Sequence, residues 1–323
     1  MIGVQSGFND VRRELVNPDD YGAKMKWRKI RKWFAIVNVV LLVVFFSVAW
    51  WVGGSLVSPA RRSVGVPLVG LPVESITLTS ESGTKLAAWF IPSEAATATV
   101  ILLHPIRGNR RTMLGRANLL REAGYSLFLV DFQAHGESAG DQITAGYRER
   151  HDVTASVKFV RSRNPDHRIA IVGWSLGGAA ALLATPLDID ALVLESVYPT
   201  VSQAVHNRIS KRFGPLHHVF APALLMQFKP RLGISPSQLR PIDYVADVGC
   251  PVLIVGGDCD RHTTLDETKR LYDAAQYPKK LVVFNGAAHT DLLKHDRLKY
   301  QADVAGFLEA HLRPAHVESQ PGK

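Results

Sequence analysis

Cysteine is scarce: the 323 residues hold two, Cys250 and Cys259. Two thiols cannot build a disulfide-dense scaffold. They flank one predicted strand, and an extended chain between them would span about 30 Å, far beyond the roughly 7 Å limit for bridged Cα atoms. They are therefore expected to be unpaired with each other. H-E-x-x-H, paired C-x-x-C and P-loop motifs are missing as well, so no metal and no cofactor is expected. His217-His218 has no obvious set of partner ligands and reads as a packed or solvated pair. Acidic residues are outnumbered, 29 Asp+Glu against 38 Lys+Arg, which gives a net charge of +9. Hydrophobic residues make up 46% of the chain, enough for a sizeable core, which excludes a wholly disordered protein.

Charge is absent from Trp33 through Ala60. Within this stretch Trp33–Val52 has only Asn38 and Ser47 as clearly polar side chains. Twenty helical residues rise about 30 Å, the thickness of a bilayer's hydrocarbon core. Trp33, Trp50 and Trp51 stand at its ends, where amphipathic rings favour the interface. The run is too long, and begins too far into the chain, for an ordinary cleaved signal peptide. An uncleaved anchor helix is expected. Lys24, Lys26, Arg28, Lys29, Arg31 and Lys32 precede it and only Arg61 and Arg62 follow closely. The positive-inside rule then keeps the N-terminus cytoplasmic and carries the rest of the chain to the opposite, periplasmic or extracytoplasmic side. Free thiols weakly oppose that orientation.

The expected organisation is a basic segment 1–32, a transmembrane helix 33–52, a Gly/Pro/Ser/Val-rich stalk 53–72, a catalytic domain 73–313 and a loose tail 314–323. Val73–Ser80 and Lys85–Ile91 alternate like an antiparallel pair around Ser82-Gly83. Further strands are expected at Thr99–Leu103, Tyr125–Asp131, Arg168–Gly173, Ala191–Leu194, Pro251–Gly256 and Lys280–Phe284. Helices are expected at Thr112–Ala123, Tyr147–Arg163, Leu176–Ala184, Leu265–Ala275 and Leu298–Leu312. Several strands are continuously apolar, the signature of a parallel sheet covered on both faces. Residues 196–242 break the alternation and read as a short helical cap. The fold class is α/β: a mostly parallel, doubly wound sheet with a cap, preceded by one membrane helix.

Gly173-Trp174-Ser175-Leu176-Gly177 joins an apolar strand to an alanine-rich helix. G-x-S-x-G in that context puts a serine on a sharp turn, with small neighbours that let strand and helix close on it. The Leu176 N–H then points from a helix N-terminus toward developing negative charge. A nucleophilic serine needs a base, and the base an orienting acid. Downstream, Leu253–Gly257 runs into Asp258 and Asp260, and Leu281–Phe284 runs into His289. Serine, acid and histidine each follow a strand, so they converge on one edge of a parallel sheet. Glu195, after another strand, is a third candidate acid.

These motifs resemble the α/β-hydrolase family over roughly residues 73–312, and most of all its membrane-anchored serine hydrolases of the BEM46-like type. In that family the acid follows a glycine by three positions. Gly257 and Asp260 fit, so the resemblance implies a triad of Ser175, Asp260 and His289. Gly286-Ala287-Ala288-His289 matches the histidine loop loosely. His104-Pro105-Ile106-Arg107-Gly108 resembles the oxyanion loop, with Pro105 replacing a glycine, and implies the Ile106 N–H as the second oxyanion donor beside Leu176. Asp131–Ser138 looks like a structural turn of the family, which leaves His135 without a catalytic role; His104 reads as a loop-ordering residue.

The resemblance implies a membrane-tethered serine hydrolase of carboxylic esters or thioesters, acting on a small-molecule or lipid-like acyl substrate through an acyl-enzyme. A serine peptidase or amidase, or a silent binding protein on the same fold, are the alternatives. The excess charge lies outside the predicted core. Residues 1–32 hold eight basic and four acidic residues, and 196–242 hold Arg208, Lys211, Arg212, Lys229, Arg231 and Arg240 with no acid, which leaves the remainder near neutral. With no general basic face, a nucleic-acid partner is not expected. The basic cap reads either as a solvated surface or as a site for anionic head groups or an anionic acyl substrate.

Overall fold

The computed structural model describes residues 18–65 and 72–312. The expected tail 314–323, the first 17 residues and the stalk residues 66–71 lie outside the described residues. The chain divides into two compact units, 1–50 and 51–323.

Helix α1, Pro18–Val57, begins in the first unit. Its portion from Met25 to Val57 is long and apolar enough to cross a membrane. Trp33, Phe34, Leu41 and Val43 are exposed along it, an apolar surface that water would penalise. The helix is longer than expected. Gly53–Val57, read from sequence as the start of the stalk, continue α1 and belong to the second unit. The two glycines are tolerated there because they admit close neighbours: a Cβ on Gly53 would lie 2.2 Å from Gln227 Oε1, and one on Gly54 3.2 Å from an Arg231 nitrogen. Behind the helix, β1 (Ala60–Arg61) pairs in parallel with β6 (His135–Gly136).

The main sheet is built from β2 (Glu74–Thr79), β3 (Lys85–Ile91), β4 (Ala98–Leu103), β5 (Ser126–Val130), β7 (Arg168–Trp174), β8 (Ala191–Glu195), β9 (Val252–Gly257) and β10 (Lys279–Phe284). Its order is β10-β9-β8-β7-β4-β5-β3-β2. The six strands from β10 to β5 run parallel, and β3 is antiparallel to both β5 and β2. In the parallel strands successive side chains enter opposite cores. Ile101, Leu103, Ile171 and Leu194 pack on one face, while Val100, Leu102, Val172 and Val193 pack on the other. That explains the long apolar runs: with period-2 geometry and both faces covered, a polar side chain needs a buried partner, as Glu195 at the end of β8 has in Arg116. Edge strand β2 alternates half-buried and exposed residues instead.

The helices α2 (Leu114–Glu122), α3 (Glu149–Arg163), α4 (Leu176–Leu183) and α8 (Leu265–Ala274) fall close to the expected spans, with a tight 3-10 turn, Arg110–Met113, opening the first. The last expected helix is interrupted. After a short α9 (Leu292–His295), α10 (Arg297–Tyr300) and α11 (Gly306–Leu312) are separated by a wider π-type stretch, Gln301–Ala305. The cap region holds α5 (Val201–Phe213), α6 (His217–Leu225) and α7 (Phe228–Leu232). Thr200 caps α5 by accepting from the Gln203 N–H, and Gly214 and Gly233, both at positive φ, follow α5 and α7.

Candidate active site

β4 is flanked by β5 on one side and β7 on the other, so successive connections diverge at its carboxyl end. Such a switch point leaves a crevice above the sheet. Ser175 stands there, between β7 and α4, with φ 51° and ψ −108°. A non-glycine residue held in that region stores strain. The packing enforces it: a Cβ on Gly177 would sit 2.4 Å from the Leu103 carbonyl oxygen, and one on Gly173 2.5 Å from the Gly178 nitrogen. Strand and helix can close on the turn only because these residues have no side chain. The Ser175 hydroxyl is buried and has no hydrogen-bond partner among the described residues.

His289 Nδ1 lies 2.7 Å from Asp260 Oδ2. A carboxylate only accepts, so Nδ1 donates to it, and the neutral tautomer that this bond selects keeps its lone pair on Nε2. The other Asp260 oxygen accepts from the His262 and Thr263 N–H groups at 2.7 and 2.9 Å. Burial alone would raise the Asp260 carboxyl. The hydrogen bond and charge of His289 and the two backbone N–H groups outweigh burial and hold it below its ordinary value. The His262 ring, 5.0 Å from that of His289, is pushed down to about 4 by burial first and then by Arg208, so it adds no competing charge at neutral pH.

The other candidate acids are engaged elsewhere. Asp258 is exposed and accepts from the Gly286 N–H at 2.6 Å. Glu195 is fully buried against Arg116 and Tyr300. Leu176 begins α4, where the first-turn N–H groups have no intrahelical acceptor. Ile106 is partly exposed, and its N–H donates to no group among the described residues. Pro105 is accommodated with the following turn intact: its carbonyl accepts from the Gly108 N–H at 2.9 Å and pairs with His104 Nδ1 at 2.8 Å. His104 Nε2 accepts from the Phe132 N–H, and His135 Nδ1 pairs with the Gln133 carbonyl. Burial pushes these two rings down to about 4 and about 3, so both stay neutral. In the cap, His217 pairs with the Gly214 carbonyl and its ring packs against His218. Cys250 is buried and Cys259 exposed, both free thiols.

Ser175, Leu176 and Ile106 line one cavity of about 320 Å³. Its walls are almost wholly apolar, with Ile143, Val201, Leu224 and Phe228 among them. Leu56 and Val57, from the end of α1, complete one side. Arg107 ties that end down by donating to the Ser55 carbonyl at 3.1 Å.

A family described as serine aminopeptidase, S33, matches residues 94–241. The YfhR protein of Escherichia coli strain K12 is 26% identical over 257 residues, which covers 75% of this chain and 82% of that protein. The membrane protein YNL320W of Saccharomyces cerevisiae is 30% identical over 206 residues, 60% of this chain and 72% of its own. This chain belongs to the α/β-hydrolase family. The yeast relative is consistent with the BEM46-like branch. Among solved structures, the Pyrococcus furiosus esterase Pf2001 has the same fold, with a TM-score of 0.66 at 22% identity over 80% of this chain and 98% of that one. An esterase from Exiguobacterium antarcticum matches with a TM-score of 0.55 at 17% identity, over 73% of this chain and all of that one (100%).

Behind the site of this hydrolase lies a network that the sequence did not reveal. Arg116, fully buried on α2, grips Glu195 from Nε at 3.0 Å and Nη2 at 2.5 Å, and reaches Asp291 at 2.9 Å. Tyr300 donates to Glu195 at 2.5 Å, and the guanidinium lies over the Trp174 ring, next to Ser175. Burial would lower the Arg116 pKa, but Glu195, Tyr300 and Asp291 outweigh it and keep the cation in place. A single arginine on the otherwise apolar face of Met113, Ala117 and Leu120 was the available signal. Arg116→Met should leave Glu195 buried without its cation, at a cost of about 3–5 kcal/mol. Thermal unfolding should show a midpoint lower by roughly ten degrees; an unchanged midpoint would mean that the pair contributes nothing.

Proposed function

We propose that this α/β-hydrolase is a membrane-tethered serine hydrolase that cleaves carboxylic ester or thioester bonds through an acyl-enzyme. The observation that carries the reading is the strained, unpartnered Ser175 hydroxyl facing an apolar cavity, on the same sheet edge as the Asp260–His289 pair. His289 Nε2 takes the Ser175 proton as Oγ attacks the ester carbonyl. Asp260 holds the imidazole in the required tautomer and stabilises its cation. The Ile106 and Leu176 N–H groups receive the oxyanion. The imidazolium then protonates the leaving alcohol or thiol, and water resolves the acyl-enzyme by the same path in reverse order of partners. The serine–histidine link is open in this structure, as catalytic hydrogen bonds often are without substrate.

An apolar cavity of this size favours an acyl chain over a polar peptide. The S33 match favours a second reading, cleavage of peptide amides by the same three residues. Turnover of 4-nitrophenyl acyl esters of rising chain length, set against peptide 4-nitroanilides, separates the two: esters should be cleaved and anilides should not. The uncharged stretch of α1 from Trp33 and the lysines and arginines of its preceding turns support a tether with the N-terminus in the cytoplasm and the catalytic domain across the membrane. In sealed inside-out vesicles the domain should resist added protease; digestion there would reverse the orientation.

A further inference from the structure

The six basic residues of the cap do not share one environment. Lys211, Arg212 and Lys229 are exposed, and Arg240 pairs with Asp243. Arg231 lines the cavity and its Nε donates to Gln227. Arg208 differs from all of these. It lines the same cavity as Ser175, yet among the described residues its one hydrogen bond runs to the Ala204 carbonyl one turn back on α5, at 3.0 Å. No carboxylate among the described residues lies within 4.0 Å of it. Tyr198, Asp260 and Glu267 act on it without a hydrogen bond, and all three are committed: Tyr198 to the Ala145 carbonyl, Asp260 to His289, Glu267 to Asn207 and Thr264.

Arg208 is half-buried, and a guanidinium drawn partly out of water into an apolar cavity, with no carboxylate beside it among the described residues, is unfavourable. Burial accordingly lowers the Arg208 pKa from its ordinary value. An Arg remains charged all the same, and its planar fork suits a carboxylate or phosphate. No acid in the cap stands ready to neutralise it.

We infer that Arg208 is the anion-binding residue of the substrate pocket, so that the esters this hydrolase prefers carry an acyl chain for the cavity and a carboxylate or phosphate for the Arg208 guanidinium. This rests on the serine-hydrolase reading and narrows its substrate class. The anion can sit on the acyl side or on the leaving-group side of the scissile bond, and two matched pairs of esters distinguish these. The first is 4-nitrophenyl hexanoate against the mono-4-nitrophenyl ester of hexanedioate. The second is hexanoylglycerol against hexanoylglycerol phosphate.

In at least one pair the full-length enzyme should favour the anionic member by about tenfold or more in kcat/KM, the scale of a charge-assisted hydrogen bond. Arg208→Gln should bring that ratio to within about threefold of unity. Arg208→Lys, which keeps the charge but loses the fork, should retain an intermediate ratio and serves if the glutamine variant folds poorly. Equal turnover of both members in both pairs, or a ratio that Arg208→Gln leaves unchanged, overturns the anion site while the hydrolase reading stands. If no ester is cleaved at all, that reading falls and binding decides the anion site. Full-length Ser175→Ala protein in non-ionic micelles should then bind hexyl phosphate at least about tenfold more tightly than hexanol, and Arg208→Gln on that background should erase the difference. Equal affinities would overturn it.

Discussion

Ser175→Ala should abolish labelling by a fluorophosphonate probe and lower ester turnover by about 10⁴-fold or more. The expected size follows from the role: without the nucleophile no acyl-enzyme forms, and only the oxyanion donors and the cavity are left to help water attack directly. The fold should survive, because among the described residues the Ser175 hydroxyl has no hydrogen-bond partner that its loss would strand. Alanine keeps the Cβ, so the backbone strain at φ 51° is unchanged. The melting midpoint of the variant should therefore match that of the parent, which separates loss of chemistry from loss of structure. Labelling that persists at full strength in Ser175→Ala would put the nucleophile elsewhere and end the proposal.

His289→Ala should cost nearly as much, and combining it with Ser175→Ala should cost little more than either alone. Nucleophile and base act as one unit, so their losses do not add. Asp260→Asn is the more discriminating change. The asparagine can offer an NH₂ to Nδ1, which favours the tautomer with its lone pair on the wrong nitrogen. In comparable triads this costs about 10⁴-fold in kcat. The sign of the pH effect follows from the lowered Asp260 pKa. The carboxylate, and the stability it gains from His289 and the two N–H groups, is fully present above the ordinary aspartate value of 3.8 and is lost only as pH falls through its lower folded value. The Asp260 charge therefore does not change across the neutral range, and the deficit of Asp260→Asn should stay constant there. A deficit that vanished at high pH would assign the orienting role to another group.

The sheet was legible because of its strands. A short, mainly apolar run such as Thr99–Leu103, set between helical segments, reads as a strand with a core on each face, and each such strand was recovered within about two residues at its ends. The Ser175 turn was legible because its geometry demands glycine at 173 and 177, and glycine is visible in a sequence. The acid was harder. Asp258, Asp260 and Glu195 all follow strands, and only burial and partners separate them: Asp258 faces solvent, Glu195 is claimed by Arg116, and Asp260 meets His289. What composition hides is pairing over long sequence distances. Arg116 with Glu195 and Asp291, and Gly53 with Gln227, join segments 79 to 175 residues apart. No local period encodes such meetings, and for that reason the end of α1 was read as the start of a stalk.

That end of α1 has a consequence for how the molecule can be handled, by a cell or by an experimenter. Gly53–Val57 lie within the second unit, with Leu56 and Val57 facing the cavity that holds Ser175. The end of α1 is thus not a detachable leash. A protease that clipped the chain after Val57 would free a domain with one cavity wall missing and greasy flanks open to water. A chain shortened to begin at Ala60 would keep β1, Ser175, Asp260 and His289, yet it would report the selectivity of a different, wider pocket. For the membrane-tethered hydrolase proposed above, release from the membrane and change of substrate would be a single event.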